Sequence, residues 1–442
     1  MINKQVIVIG AGASGMMAAG RASELGAQVL LLEKMKRPGK KLLISGQTRC
    51  NLTNARQLDD FISMYGPKGR FLHNVFHRYF RNDLLAFLRR YGVETKTMPD
   101  GRIFPASDDA RDVVKAFQRY LVDKGVQVHI GVKVTGIQVE KNRVTGVQTE
   151  RGQYDAAAVI LATGGASYPS TGSTGDGYLM AEAIGHTITR LRPALVPLVV
   201  QEGQLAKSMQ GVSLHNVRLT AYQCQANEIN PSLTPTGDIG RGTGHEKAPW
   251  PVIESRRGEM MITHFGISGP IALQMSLAIV DALEKGPVSI SIDLQPDLSE
   301  KQLHQLLQRD FELHGKRSFK RIISDLLPRK MVEPFAEMTG IPPDKPVNQL
   351  GAAERRRLVS LLKSLRFNIV SALPLAAAIV TAGGVSLKEV DPRTMASRLV
   401  VGLYFCGEVL DLDADTGGYN LQAAFSTGYV AGEQAAAFVA NS

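Results

Sequence analysis

The run Gly-Ala-Gly-Ala-Ser-Gly at positions 10–15 constrains this chain more than any other feature. It follows the apolar run Val6 to Ile9 and precedes a helix-like stretch from Met16. A second apolar run, Val29 to Leu32, ends at Glu33. Strand, glycine turn, helix and a strand ending in an acid form a βαβ unit of the dinucleotide-binding kind. Gly10 permits the tight turn, Gly12 lets the backbone approach a pyrophosphate, and Gly15 lets helix and strand pack closely. The helix N-terminus, at Ala13 and Ser14, offers N–H groups to phosphate. Glu33, 18 positions after Gly15, is placed to accept from a ribose hydroxyl. A glycine-rich loop without a ligand is the bland alternative, and the acid at the right distance speaks against it.

The rest of the first 190 residues keeps alternating strand and helix patterns, with further apolar runs at Val126 to Ile130 and Val159 to Ala162. This reads as a doubly wound α/β sheet. Between those two runs, residues 132–149 alternate apolar and polar around Lys141-Asn142, the pattern of an inserted β-hairpin or meander. Val134, at its start, counts among the cofactor contacts. From Leu191 to Pro296 the strands become short (Leu195 to Gln201, Asn216 to Gln223, Val288 to Leu294), as in a separate antiparallel domain hinged at Arg192-Pro193. Within it, 227–251 is dense in Gly, Pro, Ser and Thr and holds the only Trp, Trp250, so it reads as a mobile insertion at a hairpin tip. Residues 299–363 have helical periodicity broken by prolines. The last seventy or so return to α/β patterning, with a strand at Leu399 to Cys406, and complete the N-terminal sheet. The expected domains are 1–190 with 372–442, 191–298 with 364–371, and a helical cap at 299–363.

With 442 residues, 44% of them hydrophobic, the chain can bury more than one core. Its three cysteines, Cys50, Cys224 and Cys406, are too scattered for a disulfide framework or a metal-ligand spacing. No leader-like segment precedes the first strand, and the longest apolar stretch, 371–387, is interrupted by Pro374, Gly383 and Gly384. A cytoplasmic protein with no membrane span and no metal is expected. The net charge of +10 is unevenly spread. Lys34, Lys36, Arg37, Lys40 and Lys41 form a run without an acid, suited to neutralising a pyrophosphate. Residues 299–370 hold 14 Lys+Arg against 8 Asp+Glu. The bland reading of this second cluster is a solvated helix face; the sharper one is a surface that meets RNA. Lys316, Arg317, Lys320 and Arg321 could form one basic face, and Arg355 to Arg357 another.

Three further segments have the composition of flavin contacts. In 39–54, Ser45 and Gly46 allow close backbone approach, and Arg49, Cys50 and Asn51 could reach the same space. In 161–165 a buried strand ends in Thr163, Gly164 and Gly165. In 404–422, Gly407, Glu408 and Asp411 follow a strand. There Gly417 and Gly418, with Tyr419 and Asn420, introduce a helix whose N–H groups could hold negative charge.

Together these segments resemble the BaiN/RdsA family of bacterial flavoproteins over nearly the whole chain. The family's ISGGGRCN element stands here as ISGQTRCN at 44–51. TGSTGDG stands at 171–177, THFGISGP at 263–270, and the CGEVLD…TGGYN element at 406–420. Gln47 and Thr48 replace two family glycines. The resemblance implies an FAD domain built from both chain ends, an inserted β-domain and a helical cap. It implies reduction of a carbon–carbon double bond, in a uridine of large-subunit ribosomal RNA or in an unsaturated steroid; some members are described as amine oxidases. With no second GxGxxG after a strand, NAD(P)H is expected to visit the flavin transiently. Hydride delivery to an alkene also needs an acid for the neighbouring carbon. Cys50 and His264 are the candidates, each with packing or a satisfied hydrogen bond as its bland alternative. The expected partner is ribosomal RNA or a ribosome assembly particle.

Overall fold

Val6 to Ile9, Leu30 to Leu32 and Ala158 to Leu161 are apolar at almost every position, the composition of strands covered on both faces. In the computed structural model, which describes residues 5–231, 234–241 and 250–441, they form one parallel sheet. Its strand order is Leu403–Phe405, Ala158–Leu161, Gln5–Ile9, Gln28–Glu33, Gln127–Ile130. Val6 pairs with Val29 on one side and Ala158 on the other. Ile7, Val8 and Leu31 have no exposed surface, and each such side chain contributes about 1.5–3 kcal/mol of burial. The crossovers leave the first strand with neighbours reached in opposite directions, so the crevice at its carboxyl end is the ligand position of such sheets.

The 132–149 stretch forms two strands of a three-stranded antiparallel meander, Val134–Glu140, Arg143–Thr149 and Gly152–Asp155. Lys141 and Asn142 both have positive φ, as a two-residue hairpin turn requires. The C-terminal helix, Tyr419–Asn441, lies along the first helix, Ala13–Glu24. Gly428 and Gly432, one turn apart, face Ser14 and Ala18 so closely that a Cβ on either would stand 2.3 Å from a backbone oxygen. That contact fastens the end of the chain to its beginning.

The chain divides into two compact units, 1–193 with 375–442, and 194–374. The second contains a closed barrel in the order Leu198–Val200, Gly266–Ser268, Val252–Ile262, Ser213–Tyr222, Val288–Asp293, Leu365–Ala372. A bulge at Asn216 (φ 54°) shifts the register and lets both Leu214 and Val217 reach the core. Helices Glu300–Leu313, Phe319–Leu326, Val332–Thr339 and Ala352–Lys363 bury Leu307, Phe319, Phe335 and Leu358 in one hydrophobic cluster with the barrel residues Leu219, Ile290 and Phe367.

Two expectations need correction. The described parts of 227–251 are fastened to the barrel. Arg218 donates to the Gly237 carbonyl at 2.8 Å and to Asp238 at 3.1 Å. Ile239 and Ser255 exchange backbone hydrogen bonds of 2.7 and 3.0 Å. The polar composition concealed this because the anchors come from the barrel strands; positions 232–233 and 242–249 lie outside the described residues. The basic face at 316–321 is also dispersed. Lys316 and Arg317 precede the helix that begins at Phe319, Arg317 faces Asp325 at 3.7 Å, and Lys320 is bonded to Glu333 at 2.8 Å. Arg355 and Arg357 donate to the Leu350 and Thr339 carbonyls.

Among the described residues no helix is long and apolar enough to cross a membrane.

Candidate functional site

The glycine turn at the carboxyl end of the first strand is held from both sides. Gly10 donates to the Leu32 carbonyl at 2.8 Å and has φ 101°, and a Cβ there would meet the Ala162 carbonyl oxygen at 2.7 Å. At Gly15 a Cβ would stand 1.8 Å from the Gly10 carbonyl oxygen, so this residue serves the packing of helix on strand. Gly12 differs: its Cβ position is open, and as N-cap of the first helix it brings no side-chain cap to the helix N–H groups. A large cavity in the first unit lies over this turn, lined by Gly10, Gly12, Ala13 and Ser14. These are the parts a pyrophosphate needs: space at the second glycine and the positive end of a helix.

Glu33 closes the turn. Its Oε2 accepts the Ala11 N–H and its Oε1 the Met35 N–H, both at 2.7 Å. The carboxylate is nearly buried but still lines the cavity, so it both shapes the loop and faces a ligand. Five cations line the cavity, Lys34, Arg37, Lys40, Lys41 and Lys133, against the carboxylates of Glu33, Asp176 and Glu408. Lys34 bonds Asp176 at 2.6 Å; burial pushes the Asp176 carboxyl up, but the hydrogen bonds and charge from Lys34, with the Thr174 hydroxyl, outweigh it and hold the carboxyl below its ordinary range. Lys41 donates to Ser167 at 2.8 Å and to Glu408 at 2.7 Å; Glu408 also accepts the Thr381 N–H at 2.9 Å. The surplus of cation suits a diphosphate.

Val134, Thr163, Gly164, Ser45, Gly407 and Asn420 join the same cavity from four separate segments. The Thr163 Oγ1 is buried and has no hydrogen-bond partner, a polar atom left for a ligand. Other residues expected as contacts stand behind the lining. Gly46, Asn51, Gly165, Asp411, Gly417, Gly418 and Tyr419 are not part of it. With its amide oriented to satisfy both ends, Asn51 donates to the Thr53 carbonyl at 3.2 Å and accepts the Gly418 N–H at 3.0 Å, which fixes the start of the C-terminal helix. Asn54 donates to the Gly417 carbonyl and Tyr65 to the Tyr419 carbonyl, so three side chains hold this turn. Asp411 is bonded to Lys68.

The two acid candidates fare differently. Cys50 has no exposed surface and lines no part of the cavity, and burial pushes its thiol up to about 12. That favours packing over proton transfer. His264 belongs to the second unit and is exposed. It stands in the turn between the strands Val252–Ile262 and Gly266–Ser268. The Thr263 N–H bonds the Gly266 carbonyl at 2.8 Å, and the helix begins only at Pro270, where proline suits the first turn. Lys133, Asp176 and Ile379 line the cavity without having been singled out in the sequence. Lys133 had a signal in its place beside Val134 after the third apolar run, and Asp176 in its place within the TGSTGDG element at 171–177; Ile379 had none.

A parallel sheet, a glycine turn over its central strand and a cavity built from both chain ends define a Rossmann-like fold of the FAD-binding, flavoprotein oxidoreductase class. The model of the HI0933-like protein Rossmann domain matches residues 4–434, and the chain belongs to that family. It is 32% identical to a 3-dehydro-bile acid delta(4,6)-reductase of Clostridium scindens, covering 97% of this chain and 98% of the relative. It is 29% identical to a ribosomal RNA dihydrouridine synthase of Escherichia coli, covering 96% of each. Among solved structures, a quinol–fumarate reductase subunit with menaquinol molecules aligns with a TM-score of 0.51 at 18% identity, over 100% of this chain and 72% of the other. The open form of a flavocytochrome c3 fumarate reductase aligns with a TM-score of 0.50 at 18% identity, over 99% and 78%. These two share the fold.

Proposed function

We propose that this chain binds FAD and uses NAD(P)H to reduce a carbon–carbon double bond, converting a uridine of large-subunit (23S) ribosomal RNA to dihydrouridine. The observation that carries this reading is relatedness along 96% of the chain to curated ribosomal RNA dihydrouridine synthases, at 29% and 30% identity. The cavity supports the cofactor. The glycine turn and the first helix's N-terminus would take the pyrophosphate, Glu33 a ribose, and Ser45, Glu408 and Asn420 the remaining flavin moiety. Flavin, when bound, supplies hydride chemistry that no side chain here can supply. The chain's own part is to orient cofactor and substrate and to protonate the second alkene carbon. His264 keeps an exposed imidazole for that role; Cys50 does not have the access.

Mapping of dihydrouridine by mass spectrometry, in ribosomal RNA from cells with and without the gene, tests the reading. One position is expected to revert to uridine on deletion and return on complementation. An unchanged profile rules it out.

The second reading is a small-molecule reductase. It is favoured by the 32% identity to the bile acid reductase over 97% of the chain. Turnover of an unsaturated 3-oxosteroid at ordinary rates, unaffected by competing RNA, would establish it.

A further inference from the structure

Residues 61–82 contain no Asp or Glu, yet they hold Lys68, Arg70, Arg78, Arg81, His73 and His77. A solvated helix face ordinarily intersperses both signs. The segment forms a 3-10 turn, Gly66–Leu72, running directly into the helix His73–Arg78 and followed by the helix Arg81–Arg90. Leu72, Val75 and Phe76 turn inward without exposed surface or nearly so. Arg70, His73, Asn74 and His77, at helical spacings of three and four, turn outward together. Arg70, His73 and His77 have no carboxylate partner among the described residues. The two imidazoles lie against each other, with ring centroids 4.6 Å apart. Arg78, at the end of the row, is held by Glu433.

The row is tied to the cavity-forming segment at its base. Lys68 is bonded to Asp411, next to the lining residue Leu412, and Tyr65 donates to the carbonyl of Tyr419, next to the lining residue Asn420. At its far end Arg81 donates to the Asn54 carbonyl, and Asn54 in turn donates to the Gly417 carbonyl. The row is therefore fastened to the same segment, 411–420, that supplies Leu412 and Asn420 to the cavity lining.

We infer that Arg70, His73, Asn74 and His77 form a docking surface for the phosphate backbone of single-stranded RNA on the flavin-binding unit. The inference rests on the ribosomal RNA reading above and assigns the contact to a surface other than the helical cap. The chemistry is that of RNA recognition: an unpaired guanidinium and an amide for phosphate and sugar oxygens, and paired planar imidazoles on which a base can stack. No large apolar side chain interrupts the row, as a protein partner's interface core would require.

The test uses the flavin-loaded full chain and a fluorescent single-stranded RNA of mixed sequence, titrated at several salt concentrations. The triple variant Arg70→Ala, His73→Ala, His77→Ala is expected to bind at least about tenfold more weakly, with a salt slope shallower by about one for each lost phosphate contact. Flavin content and melting temperature report that its fold is intact. Substitution of the unpaired cap residues, Lys316→Ala with Arg321→Ala, is expected to change affinity less. Unchanged RNA binding by the triple variant, or a loss confined to the cap variant, overturns the surface and leaves the ribosomal RNA reading standing. Equal capture of a polyglutamate peptide through the row also overturns the surface alone, whereas absence of RNA binding by the unmodified chain overturns both.

Discussion

Glu33 Oε2 and the Ala11 N–H are 2.7 Å apart, so the acid ending the second strand is bonded into the glycine turn that follows the first. One side chain thus shapes the loop and faces the cavity. Glu33→Ala removes two charge-assisted bonds to backbone N–H groups, at Ala11 and Met35, and is expected to cost about 2–4 kcal/mol. Glu33→Gln keeps one acceptor and should lose flavin affinity more than stability. Denaturant unfolding of the flavin-free proteins, beside flavin titration, separates the two.

Gln47 and Thr48 have φ of 58° and 68°, the left-handed region, where the resembling family carries glycine. Both are exposed, and β-branched Thr48 is the worse fit. Thr48→Gly should raise stability by about 0.5–1 kcal/mol, the relieved strain exceeding the added chain entropy, and Gln47→Gly by less. Thermal melts of the single variants check the sign.

Cys50 and Cys406 are fully buried with thiols pushed up to about 12, whereas Cys224 is partly exposed. A thiol-specific reagent at neutral pH should label one cysteine in the folded chain and three after denaturation. Cys50→Ala should retain flavin reduction at a stability cost of about 1–2 kcal/mol. Loss of alkene reduction with flavin binding intact would restore Cys50 as proton donor.

His186 is buried, its Nε2 hydrogen-bonded to Ser397 at 2.8 Å, and burial lowers its pKa below the ordinary 6.5. The folded chain then holds it neutral while the unfolded chain takes up a proton. Its stabilising effect is complete above pH 6.5 and is lost as pH falls through the lower folded value. Melting temperatures from pH 7.5 down to about 5 should decline, and His186→Gln should flatten that decline.

For His264, replacement by Ala should lower alkene reduction while leaving flavin reduction by NAD(P)H unchanged. An unchanged rate of alkene reduction in the variant removes His264 from the chemistry.

Local signals were legible in the sequence and long-range pairings were not. The glycine turn, Glu33 and the Lys141-Asn142 hairpin obey rules spanning a few residues, and each stands where its spacing put it. The fate of charges does not. Lys320 looked available until Glu333, thirteen positions on, proved to hold it, and Arg218 reaches Gly237 only because the barrel brings them together. Asn51 and Gly418 were each read as flavin contacts, yet one fixes the other across most of the chain's length. The acid-free stretch at 61–82 was visible, but only its outward orientation separates four side chains from the apolar residues between them.

The contact of Gly428 and Gly432 with the first helix also has a consequence for synthesis. During translation the glycine turn emerges early, while the Leu403–Phe405 strand and the C-terminal helix emerge last. Until then the sheet lacks its Leu403–Phe405 strand and the cavity lacks the wall that runs from Gly407 to Thr427. The complete cavity therefore exists only once elongation has ended.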